Sequence, residues 1–278
     1  MARPHSDDLD AIVARLRAAG CVFAEDEARL LIDESADAAQ LERDVSRRVA
    51  GEPLEYILGW AEFRGLRVAV TPGVFVPRQR TSVLVHEALR LAPRNPVVLD
   101  LCCGAGAIGA AILDARPDAA VHAVDIDPAA ADCARRTLAS VSAAHHSGAT
   151  ADADPQVYVG DLYAPLPASL RGSVDLIVAN APYVPTDEIR LMPPEAREHE
   201  ALAALDGGDD GLVLHRRVAH GAREWLRPGG NLIIETSRRQ ASATAGILES
   251  AGFAASIVHD DEVDGTVAIG TAPTVDAP

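Results

Sequence analysis

Lysine is absent from the 278 residues, and every one of the 25 basic side chains is arginine. Without an ε-amine the chain forms no Schiff base and supplies no phosphate-gripping lysine to a P-loop, so both chemistries are excluded. Cysteine is scarce: Cys21, Cys102, Cys103 and Cys133 make no C-x-x-C pair. The adjacent Cys102 and Cys103 are too close for an ordinary disulfide framework, and reduced thiols are expected. The nine histidines show no H-E-x-x-H or similar spacing, so no metal is expected. No apolar run approaches the roughly 20 residues that cross a bilayer. The opening Met-Ala-Arg-Pro-His-Ser-Asp-Asp starts no signal peptide, and a cytoplasmic protein without a membrane partner is the expectation.

Positive charge is short as well. Against 41 acids the arginines leave a net charge of −16, and a surface so negative repels a nucleic-acid backbone. Direct DNA binding is not expected; a small molecule or a basic protein partner is easier to reconcile. Hydrophobic content of 48% and mean hydropathy near zero fit a soluble globular chain of two unequal domains.

What is present centres on residues 97–109, Val-Val-Leu-Asp-Leu-Cys-Cys-Gly-Ala-Gly-Ala-Ile-Gly. An apolar strand breaks into glycines and then into an alanine-rich helix. Gly104, Gly106 and Gly109 have the G-x-G-x-x-G spacing, which lets a backbone approach a ligand and aims a helix N-terminus at it. That spacing alone also fits a nicotinamide dinucleotide enzyme, or a glycine turn that merely packs helix on strand. Two acids separate the readings. Asp125 follows the apolar run 120–124, where a carboxylate meets ribose hydroxyls. Asp100 stands four residues before the first glycine, where it would repel a pyrophosphate but suit the cationic amino group and sulfonium of S-adenosylmethionine.

Along the chain, Leu9, Ile12, Val13 and Leu16, then 28–32 and 41–49, recur at helical spacing. They predict a small helical module, either a packing cap or a partner-docking domain. Residues 63–70 and 74–78 alternate like a hairpin with its turn at Thr71-Pro72-Gly73. A helix is expected at 82–91, another at 128–141, and a solvent loop at 142–155 that contains paired histidines. Further strands are expected at 157–161, 174–179 and 231–235, the last after a Pro228-Gly229-Gly230 turn. Helices at 211–226 and 240–251 and a closing hairpin turned by Asp264-Gly265 complete the chain. Such alternation predicts a mostly parallel, Rossmann-like α/β sheet with its ligand at the carboxyl ends of the strands. Asp100, Asp125, Asp161 and Asn180 all fall at such ends.

Gly51 to Tyr56, Pro77-Arg78, the stretch from Asp100 to Gly106, Asp125, Asp161 and Asn180-Ala181-Pro182-Tyr183 together resemble the HemK/PrmC family of protein-(glutamine-N(5)) methyltransferases, over nearly the whole chain. The resemblance implies a class I S-adenosylmethionine-dependent methyltransferase domain at 82–278, a hairpin linker at 59–81 and a helical substrate-docking domain at 1–58. It implies a cofactor set of Asp100, Cys102, Gly104, Gly106, Asp125, Ile126, Asp161, Leu162 and Asn180, in which Asp161 reads the adenine amino group. It implies a catalytic set of Asn180, Ala181, Pro182 and Tyr183. There the Asn180 oxygen and the Ala181 carbonyl grip the substrate NH₂ while Tyr183 stacks on the flat amide. The implied substrate is a protein glutamine, in the Gly-Gly-Gln loop of a peptide-chain release factor. The same fold acting on another planar nitrogen, in a nucleic acid or a small molecule, is the alternative. Three departures mark a paralogous branch. The family's Asn-Pro-Pro-Tyr is Asn180-Ala181-Pro182-Tyr183 here, its Pro-Arg-Pro-Asp-Thr-Glu is Pro77-Arg78-Gln79-Arg80-Thr81-Ser82, and its Gly-Thr before the glycine turn is Cys102-Cys103.

Overall fold

The computed structural model describes residues 7–145 and 155–274, with side chains from residue 9. Most of the expected solvent loop, including His146, lies outside the described residues.

Three helices open the chain: α1 (Asp7–Ala18), α2 (Ala24–Glu34) and α3 (Ala38–Val49). Ile12, Leu16, Ala28, Leu31, Leu41 and Val45 recur at helical spacing and meet in a small core of their own. Asp37 caps α3 by accepting the Gln40 N–H at 2.8 Å, which satisfies one of the orphan donors of the first turn. A short helix, α4 (Leu54–Leu58), stops at Gly59 with φ 80°. It faces two cores at once. Leu54, Ile57 and Leu58 pack on the helical cluster, whereas Tyr56 belongs to the larger core and donates its hydroxyl to the Val74 carbonyl at 2.7 Å.

The hairpin that follows corrects the expected position of its turn. Strands β1 (Trp60–Phe63) and β2 (Leu66–Ala69) pair directly, Phe63 opposite Leu66, so the turn is Arg64-Gly65, with φ of 52° and 80°. Two positive φ values match the twist of paired strands. Gly65 takes one freely, and the Glu62 carboxylate accepts the Gly65 N–H at 2.6 Å. Thr71-Pro72-Gly73 makes a separate turn, closed by Val74 N–H on the Thr71 carbonyl at 3.0 Å. It leads the chain along one wall of the cleft described below.

Beyond α5 (Ser82–Leu91) the chain alternates: β3 (Val97–Leu101), α6 (Ala107–Ala115), β4 (Ala120–Asp125), α7 (Pro128–His145), β5 (Gln156–Val159) and β6 (Val174–Ala179). After a short helix α8 (Pro194–His199) come α9 (Val213–Trp225), β7 (Leu226–Glu235), α10 (Ala241–Ser250), β8 (Ala254–Asp260) and β9 (Gly265–Thr271). The seven strands lie in the order β5-β4-β3-β6-β7-β9-β8. The first five pair in parallel, and β9 runs antiparallel to both β7 and β8. One face is covered by α5, α6 and α7, the other by α9 and α10. Every residue of β6 is buried, as expected of a central strand in a doubly covered sheet.

From α5 onward, the expected boundaries at α7 and β7 are the ones that differ most. Helix α7 continues to His145, because Ala143 and Ala144 favour helix and the His145 ring closes on Asp114 at 2.9 Å. Strand β7 begins at Leu226, with the Pro228-Gly229-Gly230 segment forming an irregularity that moves the partner of β6 from Leu226 to Asn231.

Helix α9 shows how tightly the second face is packed. A Cβ on Gly221 would fall 2.4 Å from the Tyr163 ring. That ring is held by a stack on Trp225 at 5.8 Å and by its hydroxyl on the Val218 carbonyl at 2.7 Å. Alanine in a helix is favoured over glycine by about 1 kcal/mol, but overpacking costs about 1 to 3 kcal/mol. The ring cannot step aside, so Gly221→Ala should destabilise the protein by up to about 2 kcal/mol in urea unfolding, the net of those two effects. A stabilised variant would show that Tyr163 moves freely.

Candidate active site

The order of the sheet reverses between β4 and β6 on either side of β3, and a crevice opens there at the carboxyl ends of the strands, where α/β sheets bind ligands. The cleft has a volume of about 940 Å³. Each glycine of the turn after β3 has a separate reason to be there. Gly104, whose Cβ would meet nothing, opens onto the cleft. Gly106 caps α6 with φ 78°, and a Cβ there would lie 3.0 Å from the Ala134 backbone on α7. Gly109 lets α6 lie against β4, since its Cβ would come within 3.1 Å of Val121.

The acids hold this turn. Asp125 accepts the Gly104 N–H at 2.7 Å through one oxygen and the Asp127 N–H at 2.9 Å through the other. Burial raises its pKa and those backbone bonds oppose the rise. Asp100 is fully buried and does not line the cleft. Its Oδ2 accepts the Gly109 N–H at 2.9 Å, and its Oδ1 has no hydrogen-bond partner among the described residues. Burial, with the Asp125 charge adding to it, pushes Asp100 up to about 7 against the Gly109 bond.

The remaining sequence-predicted residues converge on the same cleft. Cys102 turns the chain at φ 55°. Burial pushes both the Cys102 and Cys103 thiols up, with Asp125 and Asp100 adding to it, so neither is a thiolate nucleophile. Ile126 is 63% exposed beside Asp125, an apolar side chain offered to the cleft. Leu162 is buried at φ 48°. Asp161 meets Arg217 of α9 at 2.6 Å.

Asn180, Ala181, Pro182 and Tyr183 leave the end of β6. The Asn180 Nδ2 lies 3.4 Å from the Thr81 hydroxyl, and Ala181 is buried. Tyr183 donates its hydroxyl to Glu235 Oε1 at 3.4 Å, and its carbonyl accepts the Gln240 Nε2 at 3.0 Å. The Tyr183 ring leans on that of His215 with centroids 6.3 Å apart. Burial lowers His215 to about 4, which leaves the imidazole neutral, and burial with the Glu235 charge pushes Tyr183 up to about 12. Tyr183 therefore stays a neutral phenol and donor.

The sequence reading missed Thr81, Arg80 and Glu235. Glu235 ends β7, so the strand-end position that singled out Asp100, Asp125, Asp161 and Asn180 applied to it too. Thr81 and Arg80 line the cleft from the stretch 77–82, which the sequence reading treats only as a departure from the family's motif and gives no site role.

Residues 65–206 match the family described as Methyltransferase small domain. The chain is 33% identical to the release factor glutamine methyltransferase of Bifidobacterium longum over 92% of this chain and 95% of that one. It is 42% identical to the release factor glutamine methyltransferase of Geobacter sulfurreducens over 75% of this chain and 69% of that one. The chain belongs to the release factor glutamine methyltransferase family. A methyltransferase from Pyrococcus furiosus, 14% identical, superposes with a TM-score of 0.55 over 85% of this chain and 98% of that chain and shares the fold. Family membership decides for methyl transfer from S-adenosylmethionine and against the nicotinamide reading of the glycines. The residues present fit that cofactor: a glycine open to the cleft and an exposed isoleucine beside a strand-end acid that also lines it.

The raised Asp100 has a sign that can be tested. An unfolded aspartate titrates near about 3.9, whereas the folded chain keeps this proton up to about 7. Between those values the folded state binds more protons than the unfolded one, so stability falls as pH rises through the window. Asp100→Asn keeps an acceptor for Gly109 and removes the titration. Urea unfolding of the cofactor-free proteins from about pH 4 to about pH 7 should show a flatter dependence for the variant. Parallel curves would place the ionisation of Asp100 at its ordinary value.

Proposed function

We propose that this enzyme transfers a methyl group from S-adenosylmethionine to the side-chain amide nitrogen of the glutamine in the Gly-Gly-Gln loop of a peptide-chain release factor. The observation that carries the reading is the Asn180-Ala181-Pro182-Tyr183 turn at the end of β6, opening into the same cleft as the glycine turn of β3. An amide nitrogen is a poor nucleophile because its lone pair is delocalised into the carbonyl. Catalysis therefore rests on holding it in line with the methyl group, and positioning of this kind supplies several kcal/mol, up to about 7 to 11.

The Asn180 side-chain oxygen and the Ala181 carbonyl accept the two N–H groups of the substrate amide. Pro182 restricts Ala181 to extended geometry, and Tyr183 covers the flat face of the amide. The cofactor brings an electrophilic methyl on a sulfonium; the N–C bond forms as the S–C bond breaks, and the amide proton leaves to water. Asp125 takes the ribose hydroxyls, Ile126 and Leu162 cover the adenine, and Asp161 takes the adenine amino group with the oxygen that Arg217 leaves open. Cys102, Gly104 and Gly106 bring backbone to the cofactor, and Asp100 braces that turn. Residues 1–58 dock the protein substrate and 59–81 link them to the catalytic domain at 82–278. A cytoplasmic setting follows from a substrate that works on ribosomes.

Labelled S-adenosylmethionine, the enzyme and a purified release factor should yield one methyl group on the Gly-Gly-Gln glutamine by mass spectrometry. Label in RNA, or in another protein alone, would overturn the substrate. Asn180→Ala should abolish transfer while leaving cofactor affinity near wild type by calorimetry. Asp125→Ala should weaken the cofactor at least about tenfold, because a hydrogen bond to a charged acceptor is worth about 1.5 to 3 kcal/mol. Ala181→Pro keeps the carbonyl and should keep activity.

A further inference from the structure

Asparagine carries a donor and an acceptor on one flat group, and only one of its two orientations can grip a substrate NH₂. What sets that orientation lies behind the turn. Thr81 is 3% exposed and Glu235 is 1% exposed. Glu235 ends β7, the neighbour of β6. Its carboxylate receives the Tyr183 hydroxyl and faces the Arg80 guanidinium at 3.5 Å; burial raises its pKa, and the neighbouring Thr81 side chain and Arg80 oppose the rise.

A hydroxyl has one proton and two lone pairs, and an ionised carboxylate only accepts. The Thr81 hydroxyl accepts the Asn180 Nδ2 at 3.4 Å, which leaves its own proton for another acceptor, and the neighbouring Glu235 carboxylate is a group whose charged form Thr81 stabilises. Asn180 must then turn Nδ2 toward Thr81 and Oδ1 away from it. The reverse orientation would set two acceptors against each other in a buried place, at a cost of about 1 to 3 kcal/mol. Arg80 supplies the countercharge that makes a carboxylate tolerable there.

We propose that Thr81 and Glu235 are positioning residues for methyl transfer: Glu235 polarises Thr81, Thr81 sets Asn180 with its oxygen toward the substrate amide, and Glu235 holds Tyr183 by its hydroxyl. The inference rests on the reading of Asn180 as the residue that grips the amide.

The test is steady-state methylation of the release factor, with cofactor affinity and thermal unfolding measured for each variant. Thr81→Val should lower kcat by about 10- to 100-fold, since misplacing a reacting group by about 1 Å costs up to about 100-fold. The cofactor Kd should stay within about twofold, because Thr81 acts on the amide-gripping side. Thr81→Ser keeps the hydroxyl and should recover turnover to within about threefold, a loss below the value of one hydrogen bond. Thr81→Ala carries the same expectation as Thr81→Val if the valine variant does not fold. Glu235→Gln can donate to Thr81 and so release Asn180, and should also lose kcat. In an Asn180→Ala background, Thr81→Val should add no further loss. Wild-type turnover in folded Thr81→Val or Thr81→Ala, or equal impairment of Thr81→Ser and Thr81→Val, overturns the positioning role and leaves the Asn180 reading intact. Wild-type turnover in Asn180→Ala overturns that reading and this inference with it.

Discussion

The carboxylate of Asp125 ties the end of β4 to the glycine turn after β3, taking one N–H from Gly104 and one from Asp127. A glycine turn open to a ligand has no side chains to fix its shape, so its conformation depends on what its backbone donors find. Asp100 does the same one layer deeper, where it anchors the first turn of α6 through Gly109. Asp125, which lines the cleft, thus has a structural partner at each oxygen before any ligand arrives, and what it offers a ligand is its remaining lone pairs. A charged acceptor already held at both oxygens is preorganised, which is worth more to binding than a flexible one.

The opposite wall of the cleft is organised by a second set of tethers. The segment after α8 returns to the turn of the catalytic motif, with Val184 and Gly207 exchanging backbone bonds with Leu205 and Val184. Glu200, almost fully buried, pairs with Arg78 and accepts the Val76 N–H, so the wall formed by residues 73–78 and the segment 199–206 are held as one. Arg48 of α3 binds Glu27 of α2 at 2.6 Å and reaches Glu195 of α8 at 2.9 Å. The half-buried Arg48–Glu27 pair is costly to break, because the remaining charge would be left alone, whereas the exposed Glu195 adds a weaker link. The helical module is thereby joined to the segment that frames the cleft.

Much of this was legible as periodicity and punctuation. The helix 82–91 and the strand 174–179 have the boundaries that their apolar runs suggest, and the closing hairpin turns where Asp264 takes φ 51° ahead of Gly265. The errors have local causes. Arg64-Gly65 is a poor textual signal for a two-residue turn, and Thr71-Pro72-Gly73 is a strong signal for a turn that joins no strands. At the site, a strand end can be read from sequence but a facing direction cannot. Asp100 and Asp125 carry the same signal, yet one lies under the glycine turn and the other beside the cleft. Thr81 and Glu235 were illegible for a related reason: they meet through two strands and a turn that are far apart in the chain, and only the sheet order brings them together.

Position 181 is alanine where the motif it resembles has proline, and the proposed mechanism tolerates the exchange. A proline there would restrict φ in the unfolded chain, so its loss costs about 0.4 to 1 kcal/mol of stability through unfolded-state entropy. That cost falls on folding. In the proposed mechanism the role at this position belongs to a backbone carbonyl, which alanine also has. Ala181 is 1% exposed and precedes Pro182, which already disfavours helical geometry at 181. The turn's exit is held independently by the Gln240 side chain on the Tyr183 carbonyl. Packing, the following proline and this tether together fix what the missing ring would have fixed, so the substitution changes how much the turn contributes to stability and leaves its carbonyl in place.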